Sequence, residues 1–388
     1  MTYAHRKDIY DADTHMMEHP NWIYDFADED IKEHLEPIVE GDDEALERID
    51  EALNNFELRQ SSPQLLEEAK KQFMNWNHKG WEGLGAFDAN ERKLANDLLG
   101  FKAHIVFPTS AFDQVLAAKE ERIIIGGVEA LNRGMASFCS VDSRMHGAAY
   151  VPFAFGAEKA LDFLREAIRS GFSVIMIDTV APEGRQAFTH PDFDIVWSEI
   201  QENDITITLH VGADNGWDPV PLSFYNNDGQ VPSHKEGDAP RDALAYMGIS
   251  YNAELFLASM IFDGIFQRFP HLRVGVVELG ASWIISWMKQ LDQSFRAFRR
   301  LQDLSQVKLL PSEYVMQHIK LTPFAGEDIG WLLNNGAEDL LMFASDYPHH
   351  EGTDDPISRF EKTMIGINED KKSKFYSENF KSLLGSHL

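Results

Sequence analysis

Leu340-Leu-Met-Phe-Ala-Ser-Asp346-Tyr-Pro-His-His350 is an apolar run that stops at an aspartate and two histidines. Ile9-Tyr-Asp-Ala-Asp13-Thr-His15, near the amino terminus, stops in the same way at a carboxylate and an imidazole. In a barrel of parallel strands the carboxyl ends of the first and last strands are neighbours. Read as such strands, the two runs bring residues from opposite ends of the chain to one mouth.

Between these ends the chain alternates. Strands are predicted at 8–14, 103–108, 148–153, 173–178, 205–210, 272–277, 317–322 and 340–345, each rich in Ile, Val, Phe or Leu. Ser173-Val-Ile-Met-Ile-Asp178 is nearly all apolar, as in strands covered on both faces of a parallel sheet. Helical patterns fill 157–170, 192–203, 241–268, 281–303, 327–335 and 371–384. Eight strands alternating with helices predict an α/β fold, a (β/α)8 TIM barrel. A doubly wound open sheet is the alternative, but no glycine-rich phosphate loop follows strand one.

A barrel needs about 250 residues, and the chain has 388. The expectation is one domain, 1–388, with a helical insertion at about 20–100 (helices at 31–52 and 62–79) and a loop insertion at about 211–240. Both follow strands and would flank the mouth as cover or as a substrate lid.

The chain carries 35 basic and 63 acidic residues, a net charge of −28. Such a surface repels nucleic acid and anionic lipid. No uncharged apolar run reaches the roughly 18 residues of a membrane span. The amino terminus lacks the apolar stretch of a signal peptide. With one cysteine, Cys139, no internal disulfide forms, and a cytoplasmic location is expected.

Asp13 and His15 are two apart on a strand, so both side chains share a face. His210 ends Ile205-Thr-Ile-Thr-Leu-His210, and Asp346 closes strand eight. Singly, each has a plain reading: a hydrogen-bonded core histidine, or a turn cap. Jointly, strands one, five and eight each end in a ligand-type residue. Asp13, His15 and His210 would hold a divalent ion with an open position for water or substrate, zinc and manganese both suiting these donors. Asp346 would bind the ion or move a proton.

The same residues carry a family resemblance. The pieces are Asp11-Ala-Asp-Thr-His-Met-Met-Glu18, Leu209-His-Val-Gly212, Arg268-Phe-Pro-His-Leu-Arg-Val274, Glu278-Leu-Gly-Ala-Ser-Trp283 and Phe343-Ala-Ser-Asp-Tyr-Pro-His349. The chain resembles the amidohydrolase superfamily, in the branch with aminocarboxymuconate semialdehyde decarboxylase and the γ-resorcylate-type decarboxylases. The resemblance implies that Asp13 and His15 stand as the strand-one pair, His210 as the strand-five ligand, and Asp346 as the aspartate that binds metal and handles the proton. It also implies one zinc or manganese ion and a homodimer or larger homo-oligomer.

Two departures stand out. Asp13 replaces the usual histidine or glutamate. Glu278 stands where the decarboxylases end strand six with a histidine; a carboxylate there would be a base, a metal ligand or a partner to a ligand, its plain alternative being a salt bridge.

Asp346 and Glu278 are therefore the expected catalytic residues, with His349 and Trp283 as expected substrate contacts. His104 reads as a core histidine or a barrel-facing one. Trp76, His78 and Trp81 form an aromatic group that would pack the insertion or line a pocket. Arg144 and Arg185 are candidate anion contacts. Hydrolysis of a small organic acid, ester, lactone or amide by metal-activated water ranks first, because the strand-six histidine is missing. Non-oxidative decarboxylation of an aromatic or unsaturated acid is the alternative, and a non-catalytic ligand-binding barrel is the third reading.

Overall fold

The computed structural model describes residues 2–5, 8–37, 45–76, 79–214, 220–225, 242–350 and 352–388. They gather into two compact units, one chiefly of 1–148 and 344–361, the other of 149–232, 240–343 and 362–388.

In the first unit β1 (Asp11–His15) pairs in parallel with β2 (His104–Phe107), which pairs in parallel with the start of β3 (Met145–Val151). Every residue of β1 and β2 is buried, as expected of strands covered on both faces. On its other side β1 meets the segment after the last apolar run. Thr14 bridges Tyr347 in parallel. The Asp346 N–H donates to the Asp13 carbonyl at 3.0 Å, and the His15 N–H to the Tyr347 carbonyl at 2.7 Å.

In the second unit β4 (Val174–Ile177), β5 (Thr206–His210), β6 (Arg273–Val277) and β7 (Ile319–Leu321) pair in parallel, each with the next in chain order. The strand predicted at 340–345 is reduced to a bridge between Leu341 and Leu321. Its ladder is cut short because the Phe343 N–H donates to the Phe375 carbonyl instead. Among the described residues this makes seven regular strands and an eighth extended segment, parallel and interleaved with helices: the predicted TIM-barrel class.

The helices show why some elements escaped the sequence pattern. Ala157–Arg169 matches its prediction, with Ala160, Phe163, Leu164 and Ala167 forming one buried stripe. Ala89–Leu99 was not predicted. Asp88 caps it by accepting the Glu91 N–H at 2.8 Å, and Gly100, at φ +73°, ends it. Its buried positions are Glu91, Arg92, Ala95, Asn96 and Leu99, so three of the five are polar. Glu121–Cys139 was also missed. Its glycines dilute the pattern, yet a Cβ on Gly134 would sit 2.3 Å from the Trp22 ring, and one on Gly126 2.5 Å from Ile31.

Between β1 and β2 the longer helices are Ala45–Ser61, Pro63–Met74 and Ala89–Leu99, whereas the patterns placed helices at 31–52 and 62–79. The 241–268 pattern divides into Ala243–Gly248, Tyr251–Phe262 and Ile265–Arg268, with Gly264 in the left-handed conformation before the last. The 211–240 loop lies largely outside the described residues, as does His78.

Candidate metal centre

Asp11, Asp13 and His15 all lie on the buried strand β1, whose register against β2 shifts between Asp11 and Thr14. Asp13 and His15 are fully buried, with His15 Nε2 3.2 Å from Asp13 Oδ1. The same nitrogen is 3.7 Å from Asp346 Oδ1. Beyond Asp346 the chain turns so that His349 Nδ1 comes 3.0 Å from that carboxylate oxygen. The His15 and His349 rings stack with centroids 3.7 Å apart. Possible ligand atoms of His15, Asp346 and His349 lie within 4.8 Å of one another. Imidazole nitrogen and carboxylate oxygen, buried together, form a donor set that suits one borderline divalent ion.

Asp346 adopts a positive φ of 55°, which turns the chain sharply at the end of the apolar run. Such backbone is strained for residues other than glycine and gathers at functional sites. The turn is held from several sides. The Tyr347 hydroxyl donates to the Leu84 carbonyl at 2.9 Å, and the Gly80 N–H donates to the Pro348 carbonyl at 2.6 Å. Arg92, fully buried, donates to the carbonyls of Gly85 and of His15. Its guanidinium lies 5.4 Å from the Tyr347 ring centre, so one helix residue braces both ligand-bearing segments.

Three groups around this cluster were not singled out from sequence. The Thr109 hydroxyl lies between two imidazoles, 3.1 Å from His15 Nδ1 and 2.9 Å from His349 Nε2. Glu18 accepts the Thr109 N–H at 3.1 Å and the Ala111 N–H at 3.4 Å. Burial pushes the Glu18 carboxyl up to about 7, against those hydrogen bonds and the nearby His349. Asp11, beneath Asp13, accepts the Ser345 N–H at 2.9 Å and is pushed by burial to about 8. Thr109 was within reach of sequence reasoning, since it follows the β2 run at a strand's carboxyl end. Glu18 lay in the quoted motif, three residues past His15.

In the second unit His210 ends β5 and is buried. Its Nδ1 is 3.1 Å from the Val211 carbonyl, which only accepts, so Nδ1 carries a proton and Nε2 is the nitrogen turned toward Glu278. That Nε2 is 3.5 Å from Glu278 Oε2. Glu278 follows β6 with φ +56°, and its N–H donates to the Thr322 hydroxyl at 3.0 Å. Glu278 thus sits beside an expected metal ligand. Trp283 donates its indole N–H to the carbonyls of Leu279 and Gly280 and packs edge-on against Trp287 at 5.3 Å.

Of the remaining candidates, His104 is a core residue. Burial, with Arg92 and Arg144 nearby, pushes its imidazole down to about 3. Arg144 is engaged by Asp142 and Asp97, so its charge is already answered. Trp76 packs edge-on against Tyr347 at 5.9 Å, and the Trp81 indole donates to the Glu18 carbonyl at 3.2 Å.

A family model described as amidohydrolase matches residues 11–385. Among solved structures, an amidohydrolase from Mycobacterium avium subsp. paratuberculosis K-10 is similar at 17% identity and a TM-score of 0.71, over 98% of this chain and 100% of that one. A 5-carboxyvanillate decarboxylase from Novosphingobium aromaticivorans DSM 12444, complexed with manganese and 4-hydroxy-3-methoxy-5-nitrobenzoic acid, is similar at 18% identity and a TM-score of 0.63, over 99% and 97% of the two chains. A dihydroxybenzoic acid decarboxylase from Polaromonas sp. JS666, with bound manganese and 2-nitroresorcinol, is similar at 15% identity and a TM-score of 0.62, over 98% and 99%. No curated protein matches the chain. These structures share the barrel fold, and the family model spans nearly the whole length: the chain belongs to the amidohydrolase family and is an enzyme of it.

Proposed function

We propose that this enzyme is a metal-dependent, non-oxidative decarboxylase of an aromatic hydroxy acid, with Asp13, His15, His210 and Asp346 sharing one divalent ion. The observation that carries the reading is the buried Asp13–His15–Asp346–His349 cluster, found in a fold whose similar structures include decarboxylases with manganese and substituted aromatic ligands. The same comparisons support decarboxylation over the hydrolysis that sequence alone ranked first. Hydrolysis remains the second reading, favoured by Glu278 in place of a strand-six histidine.

The ion would supply positive charge for an anionic substrate and would acidify a water near it. Within a chain of net charge −28, that local cation is what lets an aromatic carboxylate approach. Asp13, His15 and His210 hold the ion. Asp346 holds the proton and passes it to the ring carbon as the carbon–carbon bond breaks and carbon dioxide leaves. The His349 imidazole, 3.0 Å from Asp346 Oδ1, orients that carboxyl. Glu278 aligns His210, and Trp283 closes the wall beside Glu278. Manganese is preferred to zinc, since Asp13 adds carboxylate character to the donor set. A homo-oligomer and a cytoplasmic location complete the proposal; among the described residues no helix is long and apolar enough to cross a membrane.

The test is an assay of manganese- and zinc-loaded protein. Carbon dioxide release from hydroxybenzoates and carboxyvanillate is compared with hydrolysis of lactones, esters and amides. Carbon dioxide release is expected. Turnover of the hydrolytic substrates alone would overturn the decarboxylase reading and install the second one.

A further inference from the structure

The first unit holds a cavity of about 300 Å³ among residues 55–84, none of them in the cluster of ligand-type residues. Pockets for small molecules begin at roughly this size, 300 Å³. Helix Pro63–Met74 gives it Leu65, Glu68, Ala69 and Phe73, which their spacing of three and four residues places on one face. The preceding helix, Ala45–Ser61, gives it Leu58 and Arg59. Phe73 and Leu84 are buried and form the floor. Leu58 and Leu65, 53% and 37% exposed, form the rim. Phe73 is the one buried residue of its helix, so the rest of that face opens on the cavity.

The charges are sorted as well. The Arg59 guanidinium donates to both carboxylate oxygens of Glu91, each at 3.0 Å. That cation is already answered and offers little to an anion. Glu68 and Glu82 bring two further carboxylates to the lining. The cavity thus pairs an apolar floor and rim with a negative balance.

We propose that this cavity is an effector site for a small apolar cation, an alkylammonium in chemical class. Its chain lies on Phe73 and Leu84, and its head meets Glu68 and Glu82. The floor gives the occupant leverage. Phe73 packs edge-on against the Tyr347 ring at 5.3 Å, and the Leu84 carbonyl accepts the Tyr347 hydroxyl at 2.9 Å. A chain laid on both residues bears on two contacts of the residue next to Asp346. Occupancy therefore stiffens the turn that carries Asp346. The site needs neither a bound ion nor a particular reaction.

The experiment titrates full-length protein, without added metal, with hexylammonium, hexanol and hexanoate in a calorimeter. Amide hydrogen exchange of segment 343–350 is followed with and without hexylammonium. Hexylammonium is expected to bind at least about 10-fold more tightly than either control and to slow exchange in that segment at least about twofold. Ala69→Phe, which fills the cavity, is expected to abolish both effects. Leu65→Lys, on the exposed rim, is expected to weaken hexylammonium about 10-fold, and it decides the matter should Ala69→Phe misfold. The paired change Glu68→Gln and Glu82→Gln is expected to weaken hexylammonium and leave hexanol unaltered. Absence of hexylammonium binding would overturn the proposal, as would equal binding of all three probes, affinity indifferent to the rim and filling variants, or unchanged exchange at 343–350. An oligomer that dissociates in Ala69→Phe and takes up no hexylammonium would assign the groove to a second copy of the chain instead.

Discussion

Asp346 and Glu278 share an unusual backbone. Both are carboxylates at the end of a strand or extended run, at φ +55° and +56°. The left-handed conformation costs about 1–2 kcal/mol for most side chains, with aspartate and asparagine the most tolerant. Asp346→Asn therefore tests chemistry separately from folding. It is expected to keep the circular dichroism spectrum and to lower turnover by about 100-fold or more. Unchanged turnover would remove Asp346 from the mechanism. The ligand-type residues were legible because Asp13, His15, His210 and Asp346 each end an apolar or alternating run, a pattern visible without coordinates. Thr109 and Arg92 were not. A threonine after a strand and an arginine on a helix have many ordinary uses, and only the fold shows what they touch. Trp283 was singled out by its motif, but its indole N–H is used by its own turn.

The helix Ala89–Leu99 carries Arg92 into the interior, where it donates to the Gly85 and His15 carbonyls and faces the Phe138 and Tyr347 rings. A buried carbonyl left without a donor costs roughly 1–3 kcal/mol. Arg92→Met, which keeps most of the side-chain volume, is expected to lower unfolding stability by about 2–4 kcal/mol in urea titration. A change under about 0.5 kcal/mol, the usual range for surface substitutions, would show that the guanidinium braces nothing. The same helix gives Asn96 to Asp142, whose carboxyl also takes hydrogen bonds from Arg144. Burial alone would raise Asp142, but these bonds outweigh it and bring the group from 3.8 down to about 2. The folded value lies below the unfolded one. The resulting stability is present above the unfolded value and is lost as pH falls through about 2. Asp142→Asn is expected to flatten the acid side of a Tm-against-pH curve between 3.8 and about 2; an unchanged slope would contradict this. Regular amphipathic helices such as Ala157–Arg169 were legible within a residue or two. Ala89–Leu99 was not, because its buried face holds Arg92 and Asn96, and no apolar period marks it.

At the scale of the molecule, the TIM-barrel class followed from repetition. Short apolar runs and helices alternate, and among the described residues each named strand pairs in parallel. The eighth run differs for a physical reason. Its amides serve other partners, Phe343 reaching the Phe375 carbonyl and Asp346 the Asp13 carbonyl, so sequence hydrophobicity overstated its ladder. The choice of reaction was the least legible feature. One residue type at one strand end, Glu278 where a histidine was expected, tilted the reading toward hydrolysis, and the shared fold by itself hosts either chemistry. Both chemistries require that segments from opposite ends of the chain hold one cation. The direct measurement is metal analysis of wild type, His15→Ala and His210→Ala, each purified without added metal and again after manganese loading. One ion per chain in wild type, lost in both variants while the fold persists, is the expected result. A wild type that takes up no ion, or variants that both retain it, would contradict the account.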